Sequence, residues 1–339
     1  MVTLKDIALK AGVSKSTVSR VLNNKGNVNP TLKRKVKKIA KELGYYPNIL
    51  AISLKKKRTY TIGVIISNIL NPFFTSVVRG IEDTAMKNNF NIILCNADED
   101  PKKEGVYIDL LRSKKVDGMI IATTGENKEH FSALEREKIP VVLVDRKVEG
   151  SNFDTIITDN KKGAFEAVKH FIETGYTRIG IITGPINITT SFERLEGYKL
   201  ALKRYKIPFD EKLIKIGEFK EESGYKNMKE LLKIKNPPKA IFAGNYLIAL
   251  GVYDAIKEYG LKIPEDIAVI TFDDFPWFKH LSPSLTAVSQ PTYKLGAYAV
   301  KRLLKLIEEG IPYSTERKQI VLKNSLVIRE SCGCKNNLS

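Results

Sequence analysis

Residues 2–23 read VTLKDIALKAGVSKSTVSRVLN, and this stretch decides how the chain begins. Leu4, Ile7, Ala8 and Ala11 recur at helical spacing, and so do Val13, Val18, Val21 and Leu22. Between the two sets lies Ala11-Gly12-Val13. Gly12 tolerates the positive φ that ends one helix, and Ser14 is a suitable N-cap for the next. The reading is helix, tight turn, helix. The second helix carries Lys15, Ser16, Thr17, Ser19, Arg20 and Asn23 away from its apolar side. Cations and short hydrogen-bonding side chains of this kind reach phosphates and base edges in a DNA groove. An ordinary amphipathic helix pair with a polar face would show the same periodicity, so the rest of the chain has to decide.

Charge supports the DNA reading. Residues 1–58 contain fifteen Lys and Arg against two acids, Asp6 and Glu42, and so hold +13 of the formal net charge of +18. The remaining 281 residues hold only +5. A compact basic segment on a nearly balanced chain is the footprint of a polyphosphate partner.

Working outward, residues 24–27 form a turn-rich loop. Pro30 stands at the first position of a third helix running to about residue 43, with Leu32, Val36, Ile39, Ala40 and Leu43 on its apolar side and Gly44 as its stop. Pro47 and Asn48 then open a short helix containing Ala51 and Leu54, followed by Lys55-Lys56-Lys57-Arg58. Eight residues do not make a stable helix alone in water, so this segment needs a partner to order it. The expected organisation is a helix-turn-helix head at 1–46, a hinge helix with basic linker at 47–58, and a core at 59–332.

From Tyr60 the pattern becomes apolar strand alternating with amphipathic helix. Strand-like runs fall at 61–66, 91–94, 118–122, 140–144 and 155–157, then at 178–183, 213–216, 240–243, 267–270 and 285–288. Helical stretches such as 73–87 and 104–112 separate the first series, and stretches around 162–174, 192–205, 221–233 and 246–259 the second. Strand-helix alternation means parallel sheets covered on both faces. Two such series mean two doubly wound α/β lobes, with a ligand expected at the carboxyl ends of the strands, between the lobes.

In order and spacing these motifs resemble the LacI/GalR family of transcriptional regulators from Val2 to about Cys332. Besides the opening stretch, the resemblance rests on Tyr46-Pro47-Asn48, Ala51 with Leu54, Asn71-Pro72-Phe73-Phe74, Val116-Asp117-Gly118, Pro140-Val141-Val142, Arg194-Leu195-Glu196-Gly197-Tyr198, Phe272-Asp273-Asp274 and Ser289-Gln290-Pro291. It implies that Lys15, Ser16 and Arg20 face bases, that Thr3, Ser14, Thr17, Asn23 and Asn27 hold phosphates, and that Asn48, Leu54 and Lys55 belong to a hinge whose leucine wedges into the minor groove. It further implies an interlobe cleft lined by Asn68, Phe73, Asp145, Arg194, Phe219, Asn245, Asp273 and Gln290. Carboxylates, amides and a guanidinium suit hydroxyl groups, and the two phenyl rings suit the C–H face of a sugar.

Three positions depart from the family pattern. Ile52 stands where Arg is frequent, Tyr246 where Asp is usual, and Asn68 where Asp is common. The last two lower the negative charge of the cleft. An acidic ligand such as a sugar acid or sugar phosphate therefore joins the neutral sugars as an expected effector, with Arg146 and Arg194 as its partners.

Other classes fit less well. There is no G-x-S-x-G elbow, no G-x-x-x-x-G-K-[ST] loop and no G-x-G-x-x-G after the strand at 61–66, so an enzyme is not expected, nor is a cofactor. A transport-type sugar-binding protein would lack residues 2–23 and carry a leader, and no leader-like segment precedes the first helix. A regulator controlled mainly by a protein partner remains the alternative. No apolar run reaches the roughly 18 residues of a membrane span. Cys95, Cys332 and Cys334 are too few for a disulfide framework, and Cys332-Gly333-Cys334 completes no zinc spacing with histidines at 130, 170 and 280. All three are read as non-functional thiols in a cytoplasmic protein. A palindromic DNA site calls for two heads on a two-fold dimer, and the nine residues after Glu330 leave no heptad tail for a tetramer.

Overall fold

The computed structural model describes residues 2–22, 27–45, 58–310 and 318–334. The chain divides into two compact units, one ending at Thr59 and the other beginning at Tyr60.

The first unit is three helices, α1 (Leu4–Ala11), α2 (Lys15–Leu22) and α3 (Pro30–Glu42). Gly12 sits at φ 69°, the left-handed turn that the helix pair requires, and Gly44 at φ 64° terminates the third helix. Ser14 Oγ accepts from the Thr17 N–H at 3.1 Å and so caps α2. Asn29 caps α3 through the Thr31 N–H, with Pro30 in the first turn. Ile7, Ala8, Ala11, Val18, Val21, Val36, Ile39 and Ala40 form the core, one stripe from each helix. Eight buried residues make a small core.

The second unit contains two six-stranded sheets. In chain order its elements are β1 (Thr61–Ile66), α4 (Pro72–Lys87), β2 (Asn91–Asn96), α5 (Pro101–Ser113), β3 (Gly118–Ile121), α6 (Lys128–Arg136), β4 (Val141–Val144), β5 (Asp154–Thr158), α7 (Asn160–Glu173), β6 (Ile179–Thr183), α8 (Thr189–Arg204), β7 (Ile214–Ile216), α9 (Glu221–Lys233), β8 (Ala240–Ala243), α10 (Tyr246–Glu258), β9 (Ala268–Phe272), β10 (Thr286–Ser289), α11 (Thr292–Glu309), β11 (Gln319–Leu322) and β12 (Ser325–Val327). One sheet runs β11-β5-β4-β3-β1-β2 and the other β12-β10-β9-β8-β6-β7. All pairings are parallel except β10 with β12. The central strands β3, β4, β5, β6, β8 and β9 are buried along their whole length. Full burial is the reason they read as unbroken apolar runs.

The strands expected from the alternation are all present, with ends moved by one or two residues. Four elements lie outside that pattern. They are α6, the 18-residue helix α11, and the short strands β11 and β12. The chain crosses between lobes three times, at 159, at 290–291 and at 323–324. Thus α11 follows a second-lobe strand yet packs on α4 of the first. Their contact is close: a Cβ built on Gly80 would lie 2.1 Å from the Tyr293 carbonyl oxygen, and one built on Gly296 would lie 2.1 Å from that of Val77. Among the described residues, no helix is long and apolar enough to cross a membrane.

Candidate functional site

In the first unit, Lys15, Ser16 and Arg20 are exposed on α2, while Val18 and Val21 on its other side are buried. Ser16 and Arg20, four residues apart, share one face. Thr17 is half-buried; its hydroxyl lies 2.8 Å from Ser14 Oγ, as does that of Ser16. The Asp6 carboxylate accepts from both the N–H and the hydroxyl of Thr3, each at 2.8 Å, and these bonds hold it below the usual carboxylate range. Asn27 is exposed. The remaining residues assigned to DNA by resemblance, Asn23, Asn48, Leu54 and Lys55, lie outside the described residues.

In the second unit, all nine residues expected in the cleft line one pocket. Asn68, Phe73, Asp145 and Arg146 come from the first lobe; Arg194, Phe219, Asn245 and Asp273 come from the second; Gln290 lies on a crossover between them. The cavity between these side chains is about 20 Å³, far below the roughly 300–1,000 Å³ of small-molecule sites, so its walls must move apart to admit a sugar.

Local structure explains how each side chain arrives. Asn71 caps α4 by accepting from the Phe73 N–H, which brings the first turn of that helix, with Phe73 and Phe74 edge to face, to the pocket wall. Asn68 accepts from the Leu70 N–H at 2.9 Å in the loop before it. Asp145 and Asp273 each follow a central strand, β4 and β9, with φ of 69° and 74°. Asn245 caps α10 through the Ile248 N–H. Gln290 donates to Asp273 Oδ1 at 2.6 Å and accepts from the Thr158 hydroxyl, tying two of the crossovers together.

Arg194 is buried in α8. It donates from Nε to Asn160 Oδ1 at 3.0 Å and from Nη1 to the Gly244 carbonyl at 2.6 Å, and its guanidinium lies 3.8 Å from the centre of the Phe272 ring. Burial lowers its affinity for the proton, against the pull of Asp273 and Asp145. Arg146 is equally buried but differently engaged. Its two terminal nitrogens donate to both oxygens of Glu99, at 2.6 and 2.7 Å, and one also reaches the Thr123 carbonyl. Burial works against the Arg146 charge, but Glu99 and then Asp145 outweigh it and raise its pKa. Its Nε is buried with no hydrogen-bond partner, 3.6 Å from the Asp145 carboxylate.

Burial pushes the Asp145 carboxyl up to about 6 against the opposing pull of Arg146 and Arg194, and it pushes Asp273 up against Arg194, Gln290 and the Tyr246 N–H. Tyr246 therefore still serves the site through its backbone. Its ring turns instead into a cluster with Phe275, Trp277 and Phe278.

Five lining residues were not anticipated: Asn71, Phe74, Glu99, Thr190 and Leu247. The first two sit in the Asn71-Pro72-Phe73-Phe74 motif and were available from it. Glu99 had no local signal, because it enters on the loop between β2 and α5. It alters the electrostatics: Arg146, expected to face an anionic ligand, already holds a carboxylate with both terminal nitrogens. The pocket lining contains three carboxylates, Glu99, Asp145 and Asp273, against two guanidiniums.

One expectation needs correction. The cysteines were read as isolated from any histidine, yet His170 Nε2 lies 3.2 Å from Cys332 Sγ, and Cys334 Sγ lies 3.1 Å from Cys332 Sγ. Separation in sequence was misleading because α7 and the turn at 330–332 both pack on the second-lobe sheet.

Comparison with known proteins agrees with both units. Residues 3–48 match the family described as bacterial regulatory proteins, lacI family. Residues 59–325 match the periplasmic binding proteins and sugar binding domain of LacI family. The chain is 38% identical over 339 residues to a probable HTH-type transcriptional regulator, EndR, of Paenibacillus polymyxa, covering 99% of both chains. Among solved structures it is similar to the lac repressor dimer bound to operator and an anti-inducer, at 28% identity and a TM-score of 0.86, covering 98% of this chain and 99% of that one. A LacI family transcriptional regulator from Enterococcus faecium with bound ribose is 34% identical, with a TM-score of 0.69, over 80% of this chain and 98% of that one. A basic helix-turn-helix unit and a two-lobed core with a polar, aromatic-walled cleft thus converge on one conclusion: the chain belongs to the lacI family of bacterial regulatory proteins, and it is a DNA-binding transcriptional regulator, not an enzyme.

Proposed function

We propose that the chain is a homodimeric, cytoplasmic repressor of a pseudo-palindromic operator, and that a small neutral sugar in the interlobe cleft sets its operator affinity. The observation that carries the ligand half is the pairing of Arg146 with Glu99. It removes one of the two cations expected to face an anion. What remains suits hydroxyl groups: Asp145, Asp273, Asn245, Gln290 and Arg194 supply acceptors and donors, and Phe73 and Phe219 supply apolar faces. The ribose-bound relative supports the same class.

The DNA half rests on α2. Lys15, Ser16 and Arg20 read bases, Arg20 as a bidentate guanine reader. Thr3, Ser14, Thr17, Asn23 and Asn27 hold phosphates. Residues 1–46 act as the head and 47–58 as the hinge, in which Asn48, Leu54 and Lys55 meet the minor groove. Residues 59–332 act as the effector and dimerisation core. Closure of the lobes on the sugar changes how the two hinges pair. For that to count as allostery, the sugar must bind the operator-competent and operator-incompetent states with different affinity.

Calorimetric titration tests the ligand class. Ribose, a second pentose and a hexose are compared with a sugar acid and a sugar phosphate, and each is then added to a gel-shift with DNA from the gene's own promoter. Saturable binding of a neutral sugar that changes operator affinity is the expected result. Tight binding of only the acid or phosphate would overturn the neutral-sugar reading. Operator binding unaffected by any of them would shift the case to control by a protein partner.

A further inference from the structure

The side chains of His170, Cys332 and Cys334 come together at the edge of the second lobe, away from the cleft. Their ligand atoms all lie within 4.8 Å of one another. The helix α7 supplies His170 from its last turn, the turn at 330–332 supplies Cys332, and Cys334 follows it after Gly333. Cys332 is fully buried, while His170 and Cys334 are half-buried, so the cluster is rooted in the core and open on one side. Gly333 makes the arrangement possible. It adopts φ 71°, and a Cβ there would lie 2.4 Å from the Tyr176 hydroxyl. Glycine takes that turn without strain and leaves the Tyr176 hydroxyl in place, and the turn is what folds Cys334 back beside Cys332.

We propose that His170, Cys332 and Cys334 form a binding site for a soft transition-metal ion of the zinc class, with His170 Nε2 and the two Sγ atoms as ligands. Two sulfurs and an imidazole nitrogen select soft and borderline ions, and among the described residues no carboxylate belongs to the cluster to favour calcium or magnesium. Ligands of one tetrahedral zinc stand about 3.5–3.8 Å apart, as follows from metal–ligand lengths near 2.3 Å for sulfur and 2.0 Å for nitrogen. The present spacings of 3.1 and 3.2 Å are slightly shorter. Both spacings must open by roughly half an ångström to admit the ion, and the two half-buried side chains, His170 and Cys334, are the ones placed to give way.

The Cys332 thiol and, at longer range, that of Cys334 both point at the Arg329 carbonyl, at 3.1 and 3.8 Å. Metal entry releases to solvent whatever thiol protons remain. Three protein ligands and an open side leave the fourth position to water. A Cys332–Cys334 disulfide is the competing fate of the same sulfurs. It would leave His170 without a task and would need an oxidant.

The test uses the full chain, reduced with a phosphine and stripped with a chelator. Co²⁺ replaces zinc as the probe, because thiolate ligation gives sulfur-to-cobalt absorption in the near ultraviolet. Zn²⁺ affinity is then measured by competition with a chromophoric chelator. One equivalent of Co²⁺ should bind with that absorption, which Zn²⁺ should abolish. Cys334→Ser, on the exposed side, should lose about half the absorption, and His170→Gln should weaken Zn²⁺ binding more than about tenfold. Cys95→Ser, in the other lobe, should leave both unchanged. Absence of the thiolate band in the folded wild-type chain would overturn the proposal, as would full intensity in Cys334→Ser. Recovery of a Cys332–Cys334 disulfide, with no band after its reduction, would assign the pair to redox chemistry instead.

Discussion

Asp145 and Asp273 occupy the same place in the two lobes. Each follows the strand at the same position in its sheet, β4 and β9, and each has a left-handed backbone. The N–H of Asp145 donates to the Ile156 carbonyl and that of Asp273 to the Val288 carbonyl, both at 3.0 Å, on the adjoining strands β5 and β10. Aspartate is among the few residues that visit this backbone region readily. The repeated geometry sends one carboxylate into the cleft from each side. Their environments differ. Asp273 is held by Gln290 and the Tyr246 N–H, whereas Asp145 has Arg146 Nε only at 3.6 Å.

This difference predicts a pH-dependent stability change at Asp145. Its folded pKa of about 6 lies above the ordinary value of roughly 3.9. A carboxyl raised on folding binds its proton more tightly in the folded state. Its stabilising effect is therefore present below about pH 4 and is lost as the pH rises through about 6. Asp145→Asn keeps the backbone preference and removes the charge. It should raise stability by about 2 kcal/mol, as an order of magnitude, above pH 7, and the gain should vanish near pH 4. Urea unfolding at both pH values checks it. A gain at pH 4 as large as at pH 7.5 would refute the assignment.

Glu99 predicts a change in ligand class. Glu99→Gln removes the carboxylate that fills the Arg146 fork, and the guanidinium stays buried and charged. The cleft should then gain affinity for a sugar acid relative to its neutral parent, by about tenfold if one charge-assisted bond of roughly 1.5 kcal/mol is formed. Paired calorimetric titrations of wild type and variant measure the ratio. An unchanged ratio would mean that Arg146 does not face the ligand.

The head and hinge predict how DNA binding responds. Arg20→Ala should cost about 1–3 kcal/mol of operator affinity and relax selectivity at a single base pair. Leu54→Ala should weaken operator binding with little effect on the sugar. For the wild type, affinity should fall by several hundredfold or more between about 50 and 200 mM salt. Gel-shift titrations over a salt series measure all three. A flat salt dependence would contradict a phosphate-binding head.

Close packing of α4 on α11 predicts a stability effect away from both sites. In Gly80→Ala the new methyl would meet the Tyr293 carbonyl oxygen, which is backbone and cannot swing aside. The helices must separate, at a cost of about 1–3 kcal/mol. Denaturant unfolding should show this loss without a change in sugar selectivity. Replacement of Arg302, whose Nε lies 2.5 Å from Asp154, by Ala should cost more, about 3–5 kcal/mol, since it leaves a buried carboxylate without its counter-charge and with only the Lys318 N–H to hold it.

What the chain's order alone determined is everything governed by local repetition. The 3.6-residue period of Leu4 to Leu22, the cap at Ser14 and the stop at Gly12 define the first two helices, because backbone hydrogen bonds and capping act over a few residues. The buried strands from Thr61 onward are legible for a similar reason: a strand covered on both faces must be apolar throughout. Eight of the nine cleft residues follow from the family resemblance and Arg146 from the charge argument, and the fold places all nine around one pocket.

Tertiary structure decided whatever depends on segments meeting from far apart. Strands β11 and β12 are short and only half-buried, so they carry little pattern and are defined by the sheets they join. Glu99 meets Arg146 across 47 residues and changes the charge of the cleft. His170 meets Cys332 across 162 residues and turns unremarked thiols into a donor cluster. Neither approach leaves a local trace, because the energy that holds it comes from the packing of whole lobes and not from the residues beside it in the chain.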